Sequence, residues 1–213
     1  MVKYTGSAGI NFDASTPELA EKGFDGWAKT YEADSDLHHY NGPKQLADIA
    51  KKYLKPTDLI LVTCVGTGLE LPHLHAAGLT NLHGQDGSKE MLSIANSKGL
   101  LKESFHELLF PGKTSNLKSH FYDATVNVGS INRRGLDARY MDDLVRTVAV
   151  GGVFIIGLRD TWLEPRPDLD YPYDLTAKMN EMESNGKLQL IERTVTQEFY
   201  DGMDGVFFVY RVQ

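Results

Sequence analysis

The run Leu59-Ile60-Leu61-Val62-Thr63-Cys64-Val65-Gly66-Thr67-Gly68 carries an apolar strand into a glycine turn. Leu82-His83-Gly84-Gln85-Asp86-Gly87-Ser88 follows, with 17 residues between Gly68 and Asp86. A strand, a glycine turn, a helix and a second strand ending in an acid make the first βαβ unit of a nucleotide-binding α/β domain. Glycines admit a ligand to the backbone without an intervening Cβ. A carboxylate at the tip of the second strand can accept hydrogen bonds from two ribose hydroxyls. Gly66 and Gly68 alone would fit a plain strand-to-helix turn. Asp86 alone would fit a helix N-terminal acid favoured by the dipole. Their common register favours the ligand reading.

Other reactive side chains form no comparable constellation. Cys64 reads as a small buried hydrophobe rather than a reactive thiol. His73 and His75 are two apart on a helical stretch and face different ways, and His38, His39, His83, His106 and His120 have no ligand spacing, so no metal site is expected. No Ser-His-Asp, glycosidase or P-loop arrangement is present. Arg133-Arg134 follows the fourth strand at the substrate end of the sheet. It reads as a solvated loop in preference to a site for an acidic small substrate.

The elements that must position these residues follow from periodicity and turn chemistry. Residues 1–14 read as a flexible N-terminal arm, and 15–213 as one domain. Thr16-Pro17-Glu18 has the layout of a helix start, with the helix running to about Tyr31. Pro43 to Leu54 is amphipathic, with Leu46, Ile49, Ala50 and Tyr53 on one face. Strands are expected at Leu59–Thr63, Asn81–Gln85, Lys102–His106, Phe121–Val128 and Val153–Gly157, the first as apolar as a strand buried on both faces. Helices are expected at Gly68–Ala77, at Lys89–Ser97 behind a Ser88 cap, at Asp137–Val148 and at Leu175–Ser184. Gly151-Gly152 reads as a tight turn. Leu188–Phe199, Asp201–Gly205 and Val206–Val212 read as strand, turn and strand, an antiparallel hairpin closing the sheet.

The chain has 213 residues, 41% hydrophobic and 24% charged, with net charge -7. That is enough chain for one α/β domain with a full core. The acidic balance disfavours nucleic acid as a partner. One cysteine excludes an internal disulfide and fits a reducing compartment. No stretch is apolar enough to span a membrane, and Met1 to Asp13 lacks the layout of a signal peptide. The expected location is cytoplasmic.

Several segments together resemble the class I S-adenosylmethionine-dependent methyltransferases, and within them the Williams–Beuren-region methyltransferase-like proteins. Phe24-Asp25-Gly26-Trp27-Ala28-Lys29-Thr30-Tyr31 is similar to that group's entry segment. Tyr40-Asn41-Gly42-Pro43 is similar to its next step, with asparagine in place of arginine. Leu82 to Leu92 (LHGQDGSKEML) is close to its "LHGVDGSPGML". Tyr122-Asp123-Ala124, Val150-Gly151-Gly152 and Leu158-Arg159-Asp160 follow in order. The resemblance covers about residues 22 to 212. It implies a Rossmann-like, seven-stranded, mostly parallel sheet with helices on both faces and a C-terminal antiparallel hairpin.

The resemblance further implies S-adenosylmethionine as cofactor. Gly66, Thr67 and Gly68 would line the methionine moiety, Asp86 would take the ribose, and Gly87 and Ser88 would lie beside the adenine. Met91 would cover the adenine face, and Tyr31 would close over the cofactor. Val128 and Gly129 would face the sulfonium. Taken alone, Trp27, Tyr31 and Met91 fit core packing as well. The group's acid-x-Gly-x-Gly-x-Gly pattern reads Val62, Cys64, Gly66, Gly68 here. Loss of the acid removes a charge-assisted hydrogen bond of about 1.5–3 kcal/mol to the cofactor's ammonium. Glu107 is the nearest candidate for the acid beside the adenine amine, with Leu108 one register away. The implied activity is methyl transfer to a small molecule. Asp160, Tyr200 and His106 are the side chains within reach as a base. The rivals are a repurposed methyltransferase fold, motivated by Val62 and Cys64, and a nicotinamide-dependent oxidoreductase, which the absent third glycine of G-x-G-x-x-G disfavours.

Overall fold

Side chains along the central strands alternate between two cores, and that alternation sets the architecture. Ile60 and Val62 enter one core while Leu61 enters the other. Val153 and Ile155 join the first; Phe154, Ile156 and Leu158 join the second. Strands buried on both faces require cover on both. The computed structural model describes residues 13–213, so most of the expected N-terminal arm lies outside the described residues.

The sheet has seven strands: β1 (Ile60–Thr63), β2 (Leu82–Asp86), β3 (Glu103–His106), β4 (Tyr122–Val128), β5 (Val148–Arg159), β6 (Leu188–Tyr200) and β7 (Met203–Val212). Their order is β3-β2-β1-β4-β5-β7-β6. β1 to β5 pair in parallel, and β7 runs antiparallel to both β5 and β6. One face is covered by α3 (Gly42–Tyr53), α4 (Leu71–Ala76) and α5 (Lys89–Ser97), through Leu46, Ile49, Leu71, Leu74 and Leu92. The other is covered by α6 (Met141–Val145) and α7 (Leu175–Ser184), through Met141, Leu144, Leu175, Met179 and Met182. Two short helices, α1 (Pro17–Trp27) and α2 (Tyr31–Leu37), precede this frame. The expected class I sheet and hairpin are therefore present.

Besides shifts of one to three residues, such as α4 starting at Leu71 rather than Gly68, four differences from the sequence reading stand out. The first expected helix is two: Thr16 caps α1 through Leu19 N, but the chain turns after Trp27. Thr30 N bonds Trp27 O, and the Trp27 indole donates to Asp34 at 2.6 Å, folding α2 back. The helix expected over 137–148 is a 3₁₀ turn plus α6 and stops at Val145. Thr147 bonds Leu144 O and the Thr125 hydroxyl, and Val148 already pairs with Tyr122. Gly151-Gly152 lies in a bulge within β5, because Tyr122↔Val148 is followed by Ala124↔Val153.

The last loop is shorter than expected. Tyr200 pairs with Met203, leaving only Asp201-Gly202, with φ of 52° and 73°. Two consecutive positive φ values are the pattern of a type I′ hairpin turn. Gly202→Ala should therefore lower stability by about 1–2 kcal/mol, while Asp201→Asn should be neutral within about 0.5 kcal/mol. Urea denaturation of the two variants checks this; equal stability would refute the turn assignment.

Candidate active site

A cavity of about 910 Å³ opens at the C-terminal ends of β1, β2 and β4. The strand order reverses between β1 and β4, and open α/β sheets bind ligands at such a point. Three backbone positions in the turn after β1 are left-handed: Cys64 at φ 51°, Gly66 at 54° and Gly68 at 77°. They are the three glycine positions of the resemblance. Cys64 adopts that conformation at a cost a glycine would not incur, about 1 kcal/mol. A Cβ built on Gly66 meets nothing within 4 Å, so the turn faces open space there.

Asp86 locks this turn. Its carboxylate accepts from Gly66 N at 2.7 Å and from Ser88 N at 2.8 Å. Burial pushes its pKa up to about 6, against the lowering effect of those two amides. Ser88 caps α5 by accepting from Met91 N, and its hydroxyl donates to Asp25 of α1 at 2.5 Å. Gln85 accepts from Cys64 N and donates to Glu107 O, tying β2 to both neighbours.

Eight of the ten residues singled out by sequence line the cavity: Tyr31, Gly66, Asp86, Gly87, Ser88, Met91, Val128 and Gly129. Thr67 and Gly68 do not. Thr67 is fully buried behind the turn, and Gly68 turns its carbonyl to the Lys98 ammonium at 3.0 Å. Val62 is sealed in the α3–α5 core at 1% exposure, so of the two altered motif positions only Cys64 reaches the cavity. Leu108 lines it and Glu107 does not; the Glu107 carboxylate is held by Asn116. Of the three side chains considered as a base, Tyr200 lines the cavity, while Asp160 and His106 do not. His106 instead meets Gly87 O and Glu21.

The roof comes from both ends of the chain. Trp27, Ala28 and Met91 form a small core with Phe24 and Tyr31, and the Trp27 and Tyr31 rings meet edge-on at 4.8 Å. Tyr40 packs its hydroxyl against Gly129, where any Cβ would collide with it. Tyr40 also meets Phe199 and Tyr200 edge-on. That contact depends on an irregularity in β6 between Thr196 and Tyr200. Gln197, Glu198 and Phe199 carbonyls accept from Gln45, Asn41 side-chain and Asn41 backbone donors. Sequence alone assigned no role at the site to Tyr40, quoted only within a matched segment, or to Phe199, a strand end, because they become neighbours only when the hairpin returns to α3.

The far wall includes Arg133 and Arg134, joined by Arg139 and Arg159; Arg133 is exposed, as the solvated-loop reading expects, and Arg134 is half-buried. Asn132 makes the loop compact by accepting from Arg134 N and Gly135 N, while Ile131 and Leu136 anchor it in the core. An Asn that bonds backbone two residues on is a local signal for such a turn. Only the fold decides that the turn borders the cavity.

Glu70 lies 5% exposed beside this floor, and burial pushes its pKa up to about 8. Among the described residues, no group of three or more His, Cys, Asp or Glu could hold a metal, and no helix is long and apolar enough to cross a membrane.

Two outcomes follow from these burials. Val62→Asp should destabilise by about 3–5 kcal/mol, since it places a charge without a partner in an apolar core; thermal unfolding reads this, and an unchanged midpoint would refute the placement. For Glu70, the folded pKa of about 8 lies above the ordinary 4.5. The folded state therefore holds the extra proton between those values, and stability falls as pH rises through that window. Glu70→Gln should remove this loss. Denaturation at pH 5 and pH 8 should show the variant gaining on wild type at the higher pH; an equal difference at both would contradict it.

No family model matches the chain. Human "Methyltransferase-like protein 27" is 29% identical over 175 residues, covering 80% of this chain and 69% of that protein. A solved S-adenosylmethionine-dependent methyltransferase from Aquifex aeolicus superposes with a TM-score of 0.58 at 18% identity, over 87% of this chain and 97% of its own. The [4+2]-cyclase SpnF superposes with a TM-score of 0.67 at 13% identity, over 95% of this chain and 98% of its own. The chain has the class I S-adenosylmethionine-dependent methyltransferase fold and is related in sequence, over most of its length, to human methyltransferase-like protein 27.

Proposed function

We propose that this protein transfers a methyl group from S-adenosylmethionine to a small molecule. The observation that carries the reading is the Asp86–Gly66–Ser88 arrangement on the cavity floor. Each Asp86 oxygen accepts one amide and keeps lone-pair capacity for a ribose hydroxyl. Gly66 presents open space where a bulkier residue would intrude. Met91, Leu108 and Phe24 supply apolar lining on this side, suited to an adenine ring. The cavity volume lies near the top of the range of about 300–1,000 Å³ usual for small-molecule sites, which suits a cofactor together with an acceptor. When bound, the cofactor supplies an electrophilic methyl group on a sulfur that leaves as a neutral thioether.

The chain's own share is alignment and exclusion of water. Tyr40, packed on Gly129, and Cys64 border the position at the end of β4 assigned to the sulfonium. Burial holds both well above their ordinary pKa values, so they stay neutral and serve as wall. Neither therefore acts as a base toward the nucleophile.

A second reading, a repurposed fold, is favoured by Val62. The acid that would hold the cofactor's ammonium is replaced by a sealed apolar side chain. SpnF, by its name a cyclase on the same fold, illustrates that fold does not dictate chemistry. Isothermal titration with S-adenosylmethionine and S-adenosylhomocysteine separates the two. Methyl transfer expects micromolar binding, weakened roughly tenfold or more by Asp86→Ala. Absence of heat at millimolar ligand would sink the methyl-transfer reading and leave the repurposed fold.

A further inference from the structure

Among the described residues, Glu70 is a buried acid without an ion pair. It stands two residues beyond Gly68, immediately before α4, and is 5% exposed. Its carboxyl bonds its own backbone amide. Lys98 is the cation that acts on it, but that ammonium is committed to Glu32 at 2.8 Å and to the Gly68 carbonyl at 3.0 Å. Buried acids are ordinarily paired. Burial pushes the Glu70 pKa up to about 8, so the acid is held largely protonated at neutral pH and costs stability above it. An acid kept at such a cost beside a cavity is a functional-site candidate.

Its surroundings say which ligand group it faces. Glu70 does not line the cavity, but its charge acts on Asp86, Tyr31, Tyr40 and Cys64, which do. It therefore stands behind the wall between the ribose position at Asp86 and the sulfonium position at Cys64 and Tyr40. The cofactor's aminocarboxypropyl arm continues from that sulfur and ends in an ammonium. Val62, sealed in the core, offers that ammonium nothing. The turn at Gly66 leaves open space, and a carboxylate one layer back serves a cation directly or through one bridging water. A cation at that distance favours the charged form of the acid.

We propose that Glu70 is the carboxylate that holds the ammonium of the cofactor's amino-acid arm, in place of an acid at position 62. This rests on the methyl-transfer reading for the identity of the cofactor.

The test is titration calorimetry of the wild-type protein and Glu70→Gln with four adenosine ligands. They are S-adenosylmethionine, S-adenosylhomocysteine, the S-adenosylhomocysteine analogue with hydrogen in place of its amino group, and 5′-methylthioadenosine, which lacks the whole arm. Thermal unfolding verifies that the variant is folded. Glu70→Gln should weaken both amine-bearing ligands by about tenfold or more. It should leave the deaminated analogue and methylthioadenosine within about twofold of wild type, as a thermodynamic cycle on one contact requires. Unchanged affinity for S-adenosylhomocysteine would overturn the proposal and leave methyl transfer standing. Equal weakening of all four ligands would overturn it by making Glu70 a support of the fold. Weakening confined to S-adenosylmethionine would overturn it in favour of the sulfonium charge. Failure of the wild-type protein to bind either amine-bearing ligand would overturn the proposal together with the methyl-transfer reading.

Discussion

One carboxylate ties the site together. Asp86 accepts from the glycine turn after β1 and from the first turn of α5. The two amides and the carboxylate make charge-assisted bonds, the stronger class of hydrogen bond. They hold the turn in its left-handed conformation at Cys64, Gly66 and Gly68. The same turn leads through Glu70 into α4, and Ser88 carries the connection on to Asp25 in α1. Floor, cap and roof thus share one polar chain. Its cost is visible in the raised pKa of Asp86, where burial outweighs the two donors.

The roof depends on contacts between distant parts of the chain. Asn41 and Gln45 bind the β6 carbonyls at 197–199, and Asp201 N binds His38 O. Closing so long a loop is entropically expensive but only slowly more so with length. The irregularity in β6 turns Phe199 inward against Tyr40 and Phe207. The C-terminal hairpin therefore finishes the sheet and also closes the cavity.

Sequence and structure agree where the determining interactions are local. Leu175–Ser184 is a helix with the expected bounds, and Ser88 caps Lys89–Ser97 as its hydroxyl and spacing require. The periodicity of Asp137 to Val148 misled, because Thr147 and Val148 satisfy a helix pattern but bond into the sheet. Likewise Tyr31 opens a second helix because the Trp27 indole finds Asp34, a contact that no propensity anticipates.

The amino-acid sequence by itself determined the alternating strands, the glycine turn and the carboxylate that answers it, since each rests on backbone conformation or on spacing within one βαβ unit. Tertiary structure alone decided which of those residues face the cavity. It buried Val62 and Thr67 behind the turn, exchanged Glu107 for Leu108, and brought Tyr40 and Phe199 together from opposite ends of the chain. It also set the loop of Arg133 and Arg134 at the cavity wall, with Arg133 exposed and Arg134 half-buried. The physical reason is that side-chain direction at a loop or strand end depends on which distant surface packs against it, and that information is not local.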